Sequence, residues 1–173
     1  MGHHSPSDFN ISTQITQLGR DTSRQAGFVN APIYRGSTVV FPTVDDLEHN
    51  RAEFNYGTMG TPTIASLENA WSVLAGAAGT VLSPSGLGAI SLALLTTLKA
   101  GDHLLMPDSV YRPTRNFCAG MLAKMGIETT YYDPLIGAEI ASLFRANTTT
   151  LFLESPGSQS FEIQDVPAMT QAA

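Results

Sequence analysis

The sequence predicts an α/β fold in which helices flank a mostly parallel sheet. Two observations lead to this prediction. From Thr61 onwards, short β-branched or apolar runs alternate with longer helical patterns, and proline often opens the longer patterns while glycine follows them. Strands that alternate with helices are typical of parallel sheets. In addition, 43% of the 173 residues are hydrophobic and only 14% are charged, which is enough apolar material for a buried core.

Composition and charge exclude several classes of protein. The net charge of −6 and the lack of any basic run argue against a nucleic-acid partner. The N-terminus has no apolar secretory segment, and residues 87–98, the longest apolar stretch, are too few to span a membrane. The single cysteine, Cys118, fits a reducing compartment, so we expect a cytoplasmic protein. The histidines lack ligand spacing, and we expect no metal site.

Residues 1–60 show little hydrophobic periodicity. We predict short helices over residues 14–24 and 44–51, with residues 30–38 between them forming an extended arm. A long arm without its own core usually lies on another part of an assembly. Residues 1–60 are therefore predicted to contact a neighbouring subunit.

From Thr61 the pattern becomes regular. Thr61 can cap a helix that has Pro62 at its first position, and the apolar side chains of this helix fall on one face. The elements predicted after it are a strand over 80–82, a helix over 87–99, a strand over 103–106, a helix over 113–125, a strand over 128–132, a helix over 138–145 and a strand over 149–153. Another helix begins near Pro167 and the sequence stops within it, so we expect a truncated chain.

Three polar turns follow predicted strands, at residues 83–88, 107–112 and 154–158. Because the carboxyl ends of parallel strands share one edge of a sheet, and ligands bind there, we expect these turns to converge. In the first turn a Ser/Pro/Gly segment opens an apolar helix, whose free backbone N–H groups and dipole favour an anion. This pattern predicts a phosphate site, although its spacing fits neither the dinucleotide fingerprint nor the P-loop. A tight turn with small residues for packing is the alternative.

The other two turns carry side chains that could meet a planar ligand. Tyr111 can lay its ring on such a ligand and use its hydroxyl to handle a proton, unless it is a surface residue packed on a helix start. The polar side chains of residues 154–158 could meet a substituent of that ligand or a substrate, unless they form an ordinary turn. No Ser/His/Asp arrangement indicates a nucleophilic triad, and Cys118 is predicted to be a small core thiol.

Five short segments in order carry a resemblance to a known family. They are Tyr-Gly-Thr-Met-Gly-Thr-Pro-Thr at 56–63, Ser-Gly-Leu at 85–87, Asp-Ser-Val-Tyr at 108–111, Tyr-Asp-Pro-Leu-Ile-Gly-Ala at 132–138 and Leu-Glu-Ser-Pro-Gly-Ser at 153–158. Together they resemble the pyridoxal-phosphate enzymes of cysteine and methionine metabolism, over about residues 14–169. The last two segments are most similar to the cystathionine β-lyase branch, because other branches more often carry Asn where Ser158 stands.

The resemblance implies a fold and a cofactor site. The fold is the large domain of fold type I, the aspartate-aminotransferase-like class, with residues 61–173 as the first part of its α/β domain and the remainder absent. The cofactor is pyridoxal 5′-phosphate. Ser85, Gly86 and Leu87 would offer backbone N–H groups to its phosphate. Tyr111 would stack on its pyridine ring and help to move protons near the substrate amine, and Ser158 would lie near its phenolic oxygen.

The resemblance also assigns residues of the arm and reveals departures from the family. Tyr56 would reach the phosphate bound by a neighbouring subunit. Thr58 stands where the family often has Arg, and it can donate a hydrogen bond to the phosphate but no charge. Lys99 and Lys124, the two lysines of the sequence, are predicted at helix ends and are not candidates for the Schiff-base lysine. That lysine and the Asp that pairs with the pyridine nitrogen are expected beyond residue 173.

The function implied for the complete protein is a carbon-sulfur β-lyase of methionine biosynthesis. It would cleave cystathionine, a small sulfur amino acid, to homocysteine, pyruvate and ammonia, as a cytoplasmic homotetramer built from dimers that share active sites. Neither nucleic acid nor membrane is an expected partner. Two alternatives stay open: another enzyme of the family, such as a methionine γ-lyase, cystathionine γ-synthase or sulfhydrylase, or a non-catalytic truncated chain.

Overall fold

The computed structural model of the chain describes residues 9–173. The chain divides into two compact units, the first ending at Leu82 and the second beginning at Ser83. The helices of the first unit are α1 (Ile11–Gln17), α2 (Val44–Glu48) and α3 (Pro62–Ala75). No helix among residues 9–173 is long and apolar enough to cross a membrane.

The second unit alternates helices with strands, as predicted. Its elements are α4 (Gly86–Thr97), β1 (His103–Pro107), α5 (Arg112–Phe117) continued by a π-helical turn (Cys118–Leu122), β2 (Glu128–Tyr132), a 3₁₀ helix (Gly137–Leu143), β3 (Thr148–Leu151) and α6 (Val166–Ala172). The three strands form a parallel sheet in the order β2-β1-β3. The predicted fold class is therefore confirmed.

The central strand is buried on both faces. All five residues of β1 are buried, which is typical of a parallel strand covered by helices on either side. One face of the sheet packs with α4 and α5 in a cluster of Leu94, Leu98, Leu104, Met106, Val110, Cys118, Leu122 and Ile127. The other face packs with the 3₁₀ helix and α6 in a cluster of Leu105, Tyr132, Ile140 and Met169. The two clusters hold the sheet from both faces, so the carboxyl ends of its strands lie along one fixed edge.

A buried histidine joins the three strands at their amino-terminal end. The His103 imidazole lies between the hydroxyls of Thr148 on β3, 2.7 Å from Nδ1, and Thr130 on β2, 2.8 Å from Nε2. Arg145 donates to both hydroxyls, from its guanidinium to Thr130 and from its backbone N–H to Thr148. Burial, reinforced by the charge of Arg145, lowers the pKa of His103. The neutral imidazole fits this setting, because it donates to one threonine and accepts from the other.

The predicted strand over residues 80–82 is not formed. Val81 and Leu82 are exposed, and the polar groups of this segment bond to α3 rather than to a neighbouring strand: the N–H of Leu82 donates to the Glu68 carboxylate and the Thr80 hydroxyl lies 2.8 Å from that of Ser72. A β-branched run becomes a strand only where another strand pairs with it. The prediction of this strand was wrong for that reason.

Most other predicted elements exist with shifted bounds. The predicted helix over 14–24 is α1, which begins after the Asn10 cap and ends at Gln17, and the one over 44–51 ends at Glu48. The helix over 87–99 ends at Thr97, so Gly101, at φ +90°, turns the chain into β1 rather than stopping the helix. The helix over 138–145 is 3₁₀ in form. The Thr61 cap is confirmed, since its hydroxyl accepts from the N–H of Ile64.

The predicted extended arm has few regular hydrogen bonds of its own. Thr63 fastens it to the start of α3, because its hydroxyl donates to the Pro32 carbonyl and accepts from the Tyr34 N–H. The apolar face predicted for α3 is open in this chain, and Leu67 and Trp71 are more than half exposed. The assignment of residues 1–60 as an arm that contacts a neighbouring subunit stays a prediction.

Candidate active site

The turn before α4 has the features of an anion site. Ser85 caps the helix in an extended conformation, and its hydroxyl accepts from the N–H of Gly88 at 3.0 Å. The N–H groups of Gly86 and Leu87 come first in the helix and have no acceptor among residues 9–173. A Cβ at Gly86 would meet nothing within 4 Å, and both residues are exposed. The turn can therefore present two free N–H donors and the helix dipole to an anion.

Glycine at position 88 allows the serines to close this turn. A Cβ there would lie 2.7 Å from the Ser83 hydroxyl oxygen, closer than real Cβ contacts, and 3.0 Å from that of Ser85, tighter than an ordinary contact. Glycine at position 88 thus lets the turn pack closely against the two serines. The packing interpretation therefore describes this part of the turn, and the phosphate site stays a prediction.

Tyr111 stands at the start of α5 and is 46% exposed. Its backbone carbonyl accepts from the N–H groups of Thr114 and Arg115 in the first helical turn. Its backbone N–H donates to the Glu154 carboxylate at 2.9 Å, although 43 residues separate the two. The tyrosine backbone is held on both sides, whereas the ring is available to a ligand.

The turn at residues 154–158 packs directly on the Tyr111 turn. The Ser158 N–H donates to the Ser109 carbonyl at 2.9 Å, and Gly157 is buried against the Ser109 side chain. The hydroxyl oxygen of Ser109 is buried and has no partner among residues 9–173. Two of the three predicted turns therefore meet at the carboxyl edge of the sheet. No hydrogen bond or ion pair joins either of them to residues 83–88 within residues 9–173.

Tyr56 and Thr58 belong to the first unit and lie on its surface. Tyr56 forms an isolated antiparallel bridge with Thr38, and the N–H of the following glycine donates to Ser37. Thr58 is exposed and Tyr56 is 45% exposed. Their participation in a site with Ser85, Tyr111 and Ser158 stays a prediction.

An arginine supports the strand end before Tyr111. The Arg115 guanidinium donates to the Asp108 carbonyl at 2.8 Å and pairs with the Asp108 carboxylate. It also lies 3.8 Å from the centroid of the Tyr131 ring, in a cation-π contact. Burial, more than the neighbouring charges, raises the pKa of Tyr131. These contacts fix the Pro107–Arg112 turn from the side of β2.

Neither Cys118 nor the lysines belong to this edge. Cys118 is buried in the core, as predicted, and burial raises the pKa of its thiol to about 11, so the thiol is protonated at neutral pH. Lys99 follows the end of α4, and Lys124 follows the π-helical turn. No group of three or more potential metal-binding His, Cys, Asp or Glu side chains occurs within residues 9–173.

The sequence placed Glu154 among the polar side chains of residues 154–158 that could meet a ligand, and Asp108 in the segment before Tyr111, but it gave neither carboxylate a partner within the protein. A carboxylate that follows a buried strand at the ligand edge was the available signal for both. Their partners, the Tyr111 N–H and the Arg115 guanidinium, depend on how the turns meet, and this cannot be inferred from spacing alone.

The chain belongs to the family of Cys/Met metabolism PLP-dependent enzymes, whose sequence profile matches residues 12–173. The cofactor of the protein is accordingly pyridoxal phosphate. Among its relatives is a protein of Saccharomyces cerevisiae named "Putative cystathionine beta-lyase", 58% identical over 167 residues, which are 96% of this chain and 49% of that protein. The "Cystathionine beta-lyase MetC" of Escherichia coli is 42% identical over 170 residues, with 95% and 43% covered.

Structural comparison supports the same family. The crystal structure of metB from Corynebacterium glutamicum matches with a TM-score of 0.89 and 26% identity, covering 98% of this chain and 43% of that one. Other sequence relatives have different names: an L-alanine/L-glutamate racemase of Wolbachia pipientis is 34% identical (92% of this chain, 42% of that protein), and an L-methionine gamma-lyase of Fusobacterium nucleatum is 32% identical (85% and 38%). The chain spans less than half the length of each of these relatives.

The residues of the second unit fit a phosphate-bearing cofactor. The two free N–H groups at the start of α4 suit the phosphate, and Gly86 and Leu87 are exposed to it. The exposed Tyr111 ring suits a planar heterocycle. The residues therefore agree with the cofactor that the family requires.

Proposed function

We propose that the complete protein is a cytoplasmic pyridoxal-phosphate-dependent carbon-sulfur β-lyase that acts on cystathionine. Cystathionine and water would give homocysteine, pyruvate and ammonia, a step of transsulfuration toward methionine. In the structure, the observation that supports the cofactor is the pair of unpaired N–H donors at Gly86 and Leu87. The similarity to relatives named cystathionine β-lyase, at 42% and 58% identity, supports the choice of substrate.

Each proposed site residue has a role toward the cofactor. Ser85, Gly86 and Leu87 bind the phosphate. Tyr111 packs on the pyridine ring and holds a proton near the substrate amine with its hydroxyl. Ser158 lies near the phenolic oxygen of the ring.

The arm completes the site in a homotetramer whose dimers share active sites. Tyr56, from a neighbouring subunit, adds a hydroxyl to the phosphate. Thr58 adds a hydrogen bond without charge, so phosphate affinity is lower than an arginine would give. The exposed positions of both side chains are compatible with this role.

The cofactor, when bound, acts as an electron sink that stabilises a carbanion at the substrate Cα. The chain's own residues bind and orient it, but Lys99 and Lys124 lie at helix ends and are not placed to bind it covalently. We expect that lysine outside the 173 residues. A non-catalytic chain without the lysine remains the alternative.

An intact mass after addition of pyridoxal phosphate and borohydride reduction tests this proposal. A protein heavier than the 173-residue chain, with one pyridoxyl adduct, would support a complete enzyme. An unmodified chain of 173 residues would support the non-catalytic alternative and contradict the lyase function.

A second enzymatic activity within the family is the competing candidate. Relatives named L-methionine gamma-lyase and L-alanine/L-glutamate racemase support this candidate, because they show that sequences similar to this chain carry the names of other activities. Product analysis separates the activities, because β-elimination of cystathionine gives pyruvate, γ-elimination gives 2-oxobutyrate and racemisation gives neither. Production of 2-oxobutyrate alone would contradict the β-lyase proposal.

A further inference from the structure

The backbone of Tyr111 depends on a distant carboxylate. Its N–H has no backbone acceptor within residues 9–173, and a residue at the start of a helix lacks the preceding turn that would supply one. Glu154 supplies the acceptor at 2.9 Å. Hydrogen bonds to ionised acceptors are stronger than neutral ones. The carboxylate thus fixes the point from which the tyrosine side chain projects.

Glu154 is itself held close to this point. The two turns are joined a second time by the hydrogen bond from the Ser158 N–H to the Ser109 carbonyl, and Gly157 leaves no room for a shift toward Ser109. Glu154 is partly buried, and Tyr111 is 46% exposed. The hydrogen bonds between the two turns therefore hold the backbone that carries the exposed Tyr111 side chain.

We propose that Glu154 is a positioning residue, which sets the orientation of the Tyr111 ring toward the cofactor through the Tyr111 N–H. This inference rests on the proposed role of Tyr111 and adds a residue that acts through it. Glu154 does not touch the cofactor in this proposal. A purely structural role, in which Glu154 only closes two turns, predicts a loss of stability without a specific effect on Tyr111.

A double-mutant cycle on pyridoxal phosphate affinity distinguishes the two roles. Affinity is measured by equilibrium dialysis in the full-length protein for Glu154→Ala, Tyr111→Ala and the double variant, with circular dichroism to verify folding. We expect Glu154→Ala to weaken binding by about tenfold, the loss of one charge-assisted hydrogen bond. In the Tyr111→Ala background the same change should have almost no effect. Equal effects in both backgrounds would overturn the proposal.

A conservative variant and a control variant complete the test. Glu154→Gln retains an oxygen acceptor without the charge, so it should recover part of the affinity even where Glu154→Ala fails to fold. Glu139→Ala removes an exposed carboxylate of the 3₁₀ helix and serves as the matched control, with affinity unchanged. A Glu154→Gln affinity no different from that of Glu139→Ala, together with an unchanged Glu154→Ala, would overturn the positioning role. Absence of cofactor binding by the wild-type protein would instead overturn the proposed function.

Discussion

Gly157 provides a direct test of how tightly the two turns of the site are packed. A Cβ at this position would lie 2.5 Å from the Ser109 hydroxyl oxygen and 2.8 Å from the Ser109 Cβ, whereas ordinary contacts begin near 3.4 Å. Rotation of the Ser109 hydroxyl relieves the first contact but not the second. The backbones of the two turns must therefore separate in Gly157→Ala, by roughly 1 Å at most. Overpacking of this kind costs about 1–3 kcal/mol of the free energy of unfolding.

Urea denaturation measures this loss. Gly120→Ala is the control, because a Cβ there meets nothing within 4 Å and alanine suits a helical position better, by about 0.5–1 kcal/mol. Ser109→Gly removes both clashing atoms, so the Ser109→Gly/Gly157→Ala protein should be more stable than the sum of the single effects predicts. A Gly157→Ala protein as stable as the wild type, or strict additivity in the double variant, would refute the reasoning.

Three further predictions concern the core of the second unit. Because burial lowers the pKa of His103, the unfolded chain takes up the proton at a higher pH than the folded chain does. The free energy of unfolding should therefore fall as the pH drops below about 6.5. Urea denaturation at several pH values should show a smaller decrease for a His103→Gln variant, and an unchanged decrease would contradict the assignment. Leu104→Ala should cost about 2–5 kcal/mol in the same assay, whereas Leu135→Ala, at an exposed position, should cost little; equal losses would contradict the assigned core. Tyr132→Phe should cost about 1 kcal/mol, since it removes the 2.7 Å hydrogen bond to the Phe152 carbonyl, and an unchanged midpoint would speak against that bond.

The parts of this fold that the sequence predicted well are those set by neighbours along the chain. The β2 strand was predicted over its observed range, and the predicted cap at Thr61 depends on a contact three residues away. The strand expected over residues 80–82 depended on a partner strand, which the sequence does not show. Its polar groups found nearer partners on α3. Residues 80–82 have a high β-propensity and still form no strand, because a strand also needs a neighbouring strand to pair with.

The same distinction separates the parts of the candidate site. The unpaired N–H groups of Gly86 and Leu87 could be expected from the sequence because a helix start exposes its N–H groups wherever it occurs, whereas the binding of a phosphate there stays a prediction. The contact between Tyr111 and Glu154 was not, since each lies in a turn of its own and only the parallel order of the strands brings those turns together.

Groups that would meet a ligand can therefore be proposed from short sequence patterns, such as a Ser-Gly turn or a tyrosine after a strand. Groups that hold them in place can be identified only once the fold is known. Gly157 illustrates the second kind. In the sequence it is an ordinary turn residue, and in the structure it is the position where a single added carbon would move Ser109 and, through the same pair of turns, Tyr111. If the site acts as proposed, substitutions that leave every ligand-facing side chain intact should still alter cofactor binding there.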